Sequence, residues 1–537
     1  MAAQAVLLLR TADDKSDTVD EAHYLANAVL QWREGDFNAN CDSPALPKWG
    51  SALALRLGDP ILFADRPDVG RHPLWSKNET QARRNLFLAR LATIVVTLAG
   101  GLFLRATAGR FGASAANLTH ALWCFSPTLL AHGSLATMDG WVTSALCLVA
   151  WSATRQLEVP TAGRALALGG ALALAAASKF TALAAVPVLL GVGLFVWRRE
   201  RTAWRRALWF GCCACLGFGL TLWTVYGFVV ERIDTSRLCG VFQSRLPPLS
   251  LGPVPAAPWL SGLLVQLGQG AGGHHGYLFG EVRFTGWWWF YLAALALKTT
   301  IGAQALTALA LWQRVKKRRA FEIAADAALL AFPAILVLGM SLGRAQNGIK
   351  YILPAFPFLM LWAGRVLGSL EPRGLLRRLA GAALLAAVIE SLAVHPHHLM
   401  FFNLWAGGPE RGPRYLVHGD DWGQDQRRLG EWQRTTRPWR LYYTYYSGSP
   451  KHWGISYETP PCTPAPGYYA LHAVEVHRPK RTKPGCLDWL TVEPPDARLG
   501  YSIYLYLVTR DRIQRLVAER NTRTPFWRSG PPAGGGP

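Results

Sequence analysis

Ten apolar runs follow one another between residues 86 and 394, at about 86–106, 114–131, 140–154, 165–179, 181–197, 207–229, 287–312, 325–343, 351–370 and 379–394. A helix gains only about 1.5 Å per residue, so crossing the hydrocarbon of a bilayer takes about 20 apolar residues. In that medium every backbone N–H and C=O must be bonded within its own helix or a closed barrel. A chain patterned this way is expected to fold as an α-helical polytopic membrane protein. Its charge content agrees: 17% of the residues are charged, where soluble domains carry about 25%. The net charge of +22 does not point to nucleic acid, because the basic residues gather in short loops between apolar runs, as membrane topology requires.

Three of those loops fix an orientation: Arg198-Arg199-Glu200-Arg201 with Arg205-Arg206, Arg314-Val315-Lys316-Lys317-Arg318-Arg319, and Arg373 with Arg377-Arg378. With these on the cytoplasmic side, alternation places residues 10–85, 132–139, 230–285, 344–350 and 395–537 outside. The expected organisation is then a first segment, 1–85, holding a truncated first helix and an outer acidic loop. A multi-span domain, 86–394, follows, with its large outer loop at 230–285. An outer α/β domain, 395–528, comes next, and a Gly/Pro-rich tail, 529–537, is expected to be disordered. Residues 1–9 are apolar but too few to span, and the threading calls for a helix ahead of residue 10. In the last domain Leu441–Tyr446, Tyr468–Val476 and Tyr501–Val508 are aromatic and β-branched and predict strands. Asp425–Thr435 and Arg510–Glu519 predict helices. Cys462 and Cys486 fall in this polar outer region, where a disulfide is expected to persist. Cys124, Cys147, Cys212, Cys213, Cys215 and Cys239 lie in or beside apolar runs and predict packing residues.

The chemistry-bearing stretch is Thr18-Val19-Asp20-Glu21-Ala22-His23-Tyr24. An acidic pair beside a membrane surface can deprotonate a hydroxyl or hold a divalent metal. It also suits a solvated helix N-terminus, where the dipole favours acids. His132 and Asp139 share a short outer turn, and Asp139 serves equally as an N-cap for the helix from Trp141. Lys179, Lys298, Arg344 and Lys350 lie near the outer face, at the depth of a lipid phosphate. For Lys298 the alternative is a pair with an acid on a neighbouring helix, and for Lys179 it is snorkelling to the surface. Glu281 lies just outside the Trp287-Trp288-Trp289 cluster, which fits an interfacial aromatic belt. His395-Pro396-His397-His398 matches no standard zinc spacing, and Asp421-Trp422-Gly423-Gln424-Asp425 predicts a turn and helix cap.

Val19-Asp20-Glu21-Ala22-His23, Leu130-Ala131-His132-Gly133 through Asp139, Gly276–Trp289, Lys350-Tyr351-Ile352-Leu353-Pro354, and His395–Gly408 with Asp421–Asp425 stand in one order along the chain. Taken together they resemble the GT-C glycosyltransferases that use polyprenyl-phosphate-linked sugars, in the branch of the bacterial protein O-mannosyltransferases and the lipid A aminoarabinose transferase. The resemblance implies an inverting transferase of the inner membrane, working on its outer face and drawing a sugar from a polyprenyl-phosphate donor. It implies Asp20 as catalytic base with Glu21 holding the site, and Lys350, Arg344 and Lys298 as cations for the donor phosphate. His132, Asp139 and Glu281 complete the site, and a divalent metal on Asp20 and Asp139 is implied by some relatives. One departure is Ser43-Pro44-Ala45-Leu46-Pro47-Lys48, where relatives show Pro-Pro-Leu and then Lys. The acceptor, whether protein, lipid or glycan, is left open. The rival classes are a lipid or sugar transporter, which predicts ionisable residues at the midplane, and an inactive glycan-binding relative.

Overall fold

The computed structural model describes residues 1–519 apart from 39, 64–80, 201–203, 235–249, 273–275, 317–319, 345, 369, 372, 418, 445–449 and 478–485. Arg201, Lys317-Arg318-Arg319, Cys239 and the tail 529–537 lie outside the described residues.

Three helices precede the first long apolar one: α1 (Ala2–Asp14), α2 (Val19–Glu34) and α3 (Leu46–Gly58). Residues 1–9 thus belong to a 13-residue helix, which buries Leu7, Leu8 and Ala12. Then come α4 (Ala82–Gly109), α5 (Ala113–Cys124), α6 (Pro127–Gly133), α7 (Met138–Glu158), α8 (Ala162–Ala176), α9 (Ala185–Glu200) and α10 (Trp204–Val225). After the segment 230–285 follow α12 (Phe290–Lys298), α13 (Ile301–Lys316), α14 (Ala320–Leu342), α15 (Phe356–Gly368) and α16 (Leu375–Ala393). Every apolar run is helical. Among the described residues five helices are long and apolar enough to cross a bilayer, and a sixth if α12 and α13 count as one bent span.

Two runs are broken where the sequence is locally polar or holds proline. The run 114–131 divides at Ser126-Pro127 into α5 and α6, because proline has no N–H to continue a ladder. The run 287–312 bends by 114° between α12 and α13. Its freed backbone groups are satisfied from elsewhere: Ile301 N donates to Glu390 Oε2 at 2.7 Å, and Asn403 Nδ2 donates to the carbonyls of Ala296 and Thr299 at 2.6 and 2.9 Å. Such a break is tolerated at membrane depth only when protein groups supply these bonds.

The segment 230–285 holds the hairpin of β1 (Val230–Asp234) and β2 (Ser250–Pro255), then α11 (Ala257–Gly272), then the short hairpin of β3 (Gly276–Leu278) and β4 (Glu281–Arg283). The apolar α11 stands inside a stretch whose Pro and Gly content reads as polar loop. Of the tryptophan cluster only part is at the surface: Trp288 is exposed, whereas Trp287 is buried.

The C-terminal unit is a four-stranded sheet in the order β5 (Leu441–Tyr443), β6 (Gly467–His472), β8 (Ile503–Val508), β7 (Ala497–Leu499). β5 and β6 run parallel, and the other neighbours antiparallel. Alternation along the strands sorts the rings by face. Tyr469, Leu471, Tyr504, Tyr506 and Val508 pack with Trp489 and Leu516 of α18 (Arg510–Glu519). Ala470, Ile503, Leu505 and Tyr443 pack with Leu429 of α17 (Gln426–Thr436). Cys462 and Cys486 form a disulfide, as their placement predicts, and Cys41 is disulfide-bonded as well. Cys124, Cys147 and Cys213 are buried as packing residues, while Cys212 and Cys215 are exposed on α10.

Candidate active site

The linker between α1 and α2 is stitched to the loop that precedes α17. Ser16 N donates to Gln424 O at 3.0 Å and Val19 N to Trp422 O at 3.2 Å. Ser16 Oγ donates to Gly423 O at 3.0 Å and accepts from Gln426 N at 2.9 Å. Asp425 stands at the N-cap position of α17, but its carboxylate makes no capping bond. Instead it takes Lys15 Nζ at 2.6 Å and Ser502 Oγ at 2.6 Å. Trp453 Nε1 adds a bond to Asp17 Oδ1 at 3.1 Å. The acidic stretch is thus held between the helical bundle and the C-terminal unit.

Thr18 caps α2, and Glu21 at the third helical position closes a capping box, accepting from Thr18 N and Oγ1 at 3.0 Å each. Glu21 is fully buried and meets Arg90 of α4 in a two-pronged pair, Nε to Oε1 and Nη2 to Oε2, both 2.7 Å. Ala136 N completes its shell at 2.8 Å. Burial alone pushes this carboxyl up, but Arg90 and the N–H donors outweigh it and hold it below its ordinary value. Arg90 also donates to the carbonyls of Ala12, Lys15 and Ser16 at 2.7, 2.8 and 2.8 Å, so all five of its N–H groups are used.

Asp20, one position earlier on the helix, points elsewhere. Its side chain is 29% exposed, and Oδ2 accepts from Lys350 Nζ at 3.0 Å. Oδ1 has no partner among the described residues. Lys350 lies in a 3-10 segment, Ile349–Ala355, that leads into α15. Its ammonium sits 3.9 Å above the Trp422 ring, a cation–π contact. His132, the histidine in the last turn of α6, meets the same ring edge-on with centroids 5.7 Å apart. Asp139 in the first turn of α7 takes Lys179 Nζ at 2.6 Å, and Lys179 lies 4.6 Å over the Tyr351 ring. The site thus holds two carboxylate–lysine pairs, each lysine resting on an aromatic ring.

Beside it, Tyr24, Ser43, Lys48, Ser51 and Met138 line a small cleft. Burial first, then the charges of Asp20 and Asp139, push the Tyr24 phenol far above its ordinary value, so it remains an O–H donor. Lys48 donates to Asn40 O at 2.9 Å, and burial brings its ammonium down to about 8. A larger, partly open cleft lies among the apolar helices, walled by Phe125, Pro127, Lys298, Phe356 and Met360. Pro127 opens α6 on that side and His132 lies in its last turn near the carboxylates, five positions on and about 7.5 Å along the axis.

Of the residues singled out in the sequence, the fold brings Asp20, Glu21, His132, Asp139, Lys179 and Lys350 together. Lys298 is buried and engaged: its Nζ pairs with Asp420 Oδ1 at 3.0 Å, donates to Leu399 O at 2.9 Å and lies 4.1 Å over the Phe402 ring. Arg344 is exposed. Glu281 is exposed on β4 and pairs with Arg283 at 2.7 Å. Arg90 is the residue that local pattern did not single out, although a cation inside an apolar run is itself a signal. Trp422 and Tyr351, read as parts of turns, supply the rings beneath the two lysines.

Asp20 and Asp139 each hold a lysine ammonium, so the positive charge that a metal would supply is already present at both carboxylates. Among the described residues the group spaced like metal ligands is Asp14, His397 and Asp425. Lys15 Nζ lies within it, 2.5 Å from His397 Nδ1 and 2.6 Å from Asp425 Oδ1, and supplies the positive charge there.

No family model matches this chain, and no curated protein matches it. The fold is similar to two solved structures of ArnT from Cupriavidus metallidurans. One, bound to undecaprenyl phosphate, aligns at 17% identity and a TM-score of 0.48 over 74% of this chain and 65% of that one, so that less than two thirds of the relative's length is spanned. The other, in the apo state, aligns at 15% identity and a TM-score of 0.48 over 94% of this chain and 96% of that one. At these identities the likeness concerns the fold alone and transfers no residue's role.

Proposed function

We propose that the protein is a membrane glycosyltransferase that moves a sugar from a polyprenyl-phosphate donor to an acceptor hydroxyl on the outer face, with inversion. The observation that carries this is the meeting of two ring-backed carboxylate–lysine pairs at one end of a set of apolar helices: Asp139 with Lys179, and Lys350 with Asp20, a partly exposed carboxylate. Asp20 takes the proton of the acceptor hydroxyl. The hydroxyl oxygen then forms the new bond to the anomeric carbon from the side opposite the phosphate. The bond from that carbon to the phosphate oxygen breaks, and its electron pair leaves on the phosphate, which needs nearby positive charge and no proton. Lys350, Lys179 and Lys48 supply that charge. Lys298 is committed to Asp420 and is left out of this set, and no step passes through a metal. The larger apolar cleft suits a hydrocarbon tail. The disulfides at Cys41 and at Cys462–Cys486 support the outer placement of both segments that frame the site.

Purified protein will transfer label from one member of a panel of radiolabelled polyprenyl-phosphate sugars to a component of an envelope extract, and the labelled product identifies the acceptor. Absence of transfer with every donor, by protein that is folded and binds polyprenyl phosphate, would sink the reading. A pH effect follows from Lys48, whose ammonium is charged below about 8 and neutral above it. Affinity for polyprenyl phosphate falls as pH rises through that value, and Lys48→Met flattens the profile. An unchanged profile in the variant would remove Lys48 from the phosphate site.

A further inference from the structure

We propose that Lys350 is shared between Asp20 and the donor phosphate, so that donor binding itself unmasks the base. The inference rests on the transferase reading above. Without donor, the ammonium spends one N–H on Asp20 Oδ2 at 3.0 Å and rests on the Trp422 ring at 3.9 Å. Among the described residues Asp20 is its one anionic partner. A carboxylate so paired is a poor base, because taking a proton would forfeit the ion pair. A phosphate carries more charge than a carboxylate and offers more acceptor atoms, so it competes for the same ammonium. The flexible four-carbon stem lets the ammonium pivot over the ring without loss of the cation–π contact.

The neighbouring pair does not behave alike. Asp139 and Lys179 are closer, at 2.6 Å, and their side chains are 3% and 12% exposed. Asp20 and Lys350 are 29% and 13% exposed. The wetter carboxylate is the one an acceptor can reach, and its lysine is the one that can be drawn away. Glu21 and Arg90, fully buried, anchor the start of α2 that carries Asp20 while the ammonium moves. Two consequences follow. Donor binds before acceptor in a productive cycle. Water is not activated at Asp20 while the donor is absent, since the base is then neutralised.

The test is a double-substitution cycle on polyprenyl phosphate binding, measured with radiolabelled lipid on the detergent-solubilised full chain, with thermal melting as the folding control. Asp20→Asn frees Lys350 and tightens binding by about tenfold, the worth of one modest ion pair. Lys350→Gln weakens binding by about tenfold or more. In the Lys350→Gln background the further change Asp20→Asn has less than about a twofold effect, because the shared lysine is gone. Equal tightening in both backgrounds would show simple repulsion between Asp20 and the phosphate and overturn the sharing. So would unchanged affinity in Asp20→Asn. A folded wild-type chain that binds no polyprenyl phosphate would overturn the transferase reading together with this inference, whereas the two preceding outcomes leave that reading standing.

Discussion

Asp20→Asn abolishes sugar transfer, lowering the rate by about 10²–10⁴-fold, the range that a positioned general base contributes. The variant stays in the membrane at normal level, because the side chain is 29% exposed and loses a single ion pair. The amide is isosteric, so the surrounding fold persists while the proton acceptor is lost and Lys350 is released from its ion pair. Single-turnover transfer from bound donor is the measurement. A rate within about tenfold of wild type would remove Asp20 from the base role. Tighter binding of polyprenyl phosphate together with lost transfer is the combined signature expected of this variant alone.

The second large effect is structural. Arg90→Met leaves Glu21 buried without its partner and strands the carbonyls of Ala12, Lys15 and Ser16. Removing one member of a buried pair costs about 3–5 kcal/mol, a large share of the stability of an ordinary domain. Thermal melting in detergent will show this loss, and Arg90→Met with Glu21→Gln recovers part of it because no charge is then left unpaired. A melting temperature unchanged by Arg90→Met would contradict the role given to this pair. The sign of the pH dependence is fixed by the direction of the Glu21 shift. Its folded value lies below 4.5, so the pair's contribution is complete above that pH and is lost as pH falls through the folded value. Glu21→Gln removes this acid sensitivity.

The helical bundle and three of the four strands of the C-terminal sheet were legible in the sequence, because each is written in a local pattern, whereas the order of the strands and β7 were not. Apolar runs and the aromatic, β-branched stretches need no knowledge of distant contacts, although the strand expected over Tyr468–Val476 ends at His472 and gives way to a short helix, Ala473–His477. The acidic stretch was legible too, but not the division of labour inside it. Asp20 and Glu21 are neighbours of like charge, and only the tertiary contacts separate a carboxylate closed by Arg90 from one open beside Lys350. Lys298 shows the converse. Its depth suits a phosphate ligand, yet Asp420, more than a hundred positions away, holds it. The bend between α12 and α13 and the helix α11 were hidden for related reasons. The bend depends on Glu390 and Asn403, which are remote in sequence, and α11 is masked by the glycine and proline around it.

The stitching of the α1–α2 linker to the loop ahead of α17 has a consequence for how the molecule comes into being. The base arrives with the first twenty residues, the lysine that masks it some 330 positions later, and the ring beneath that lysine later still. During synthesis the helices enter the bilayer one after another, yet the pocket has no floor until Trp422 has emerged and joined Val19. The proposed catalytic pair is therefore a property of the chain through Trp422: a nascent polypeptide that ends before it lacks the ring under Lys350 and the bond from Val19, and is expected to be inactive.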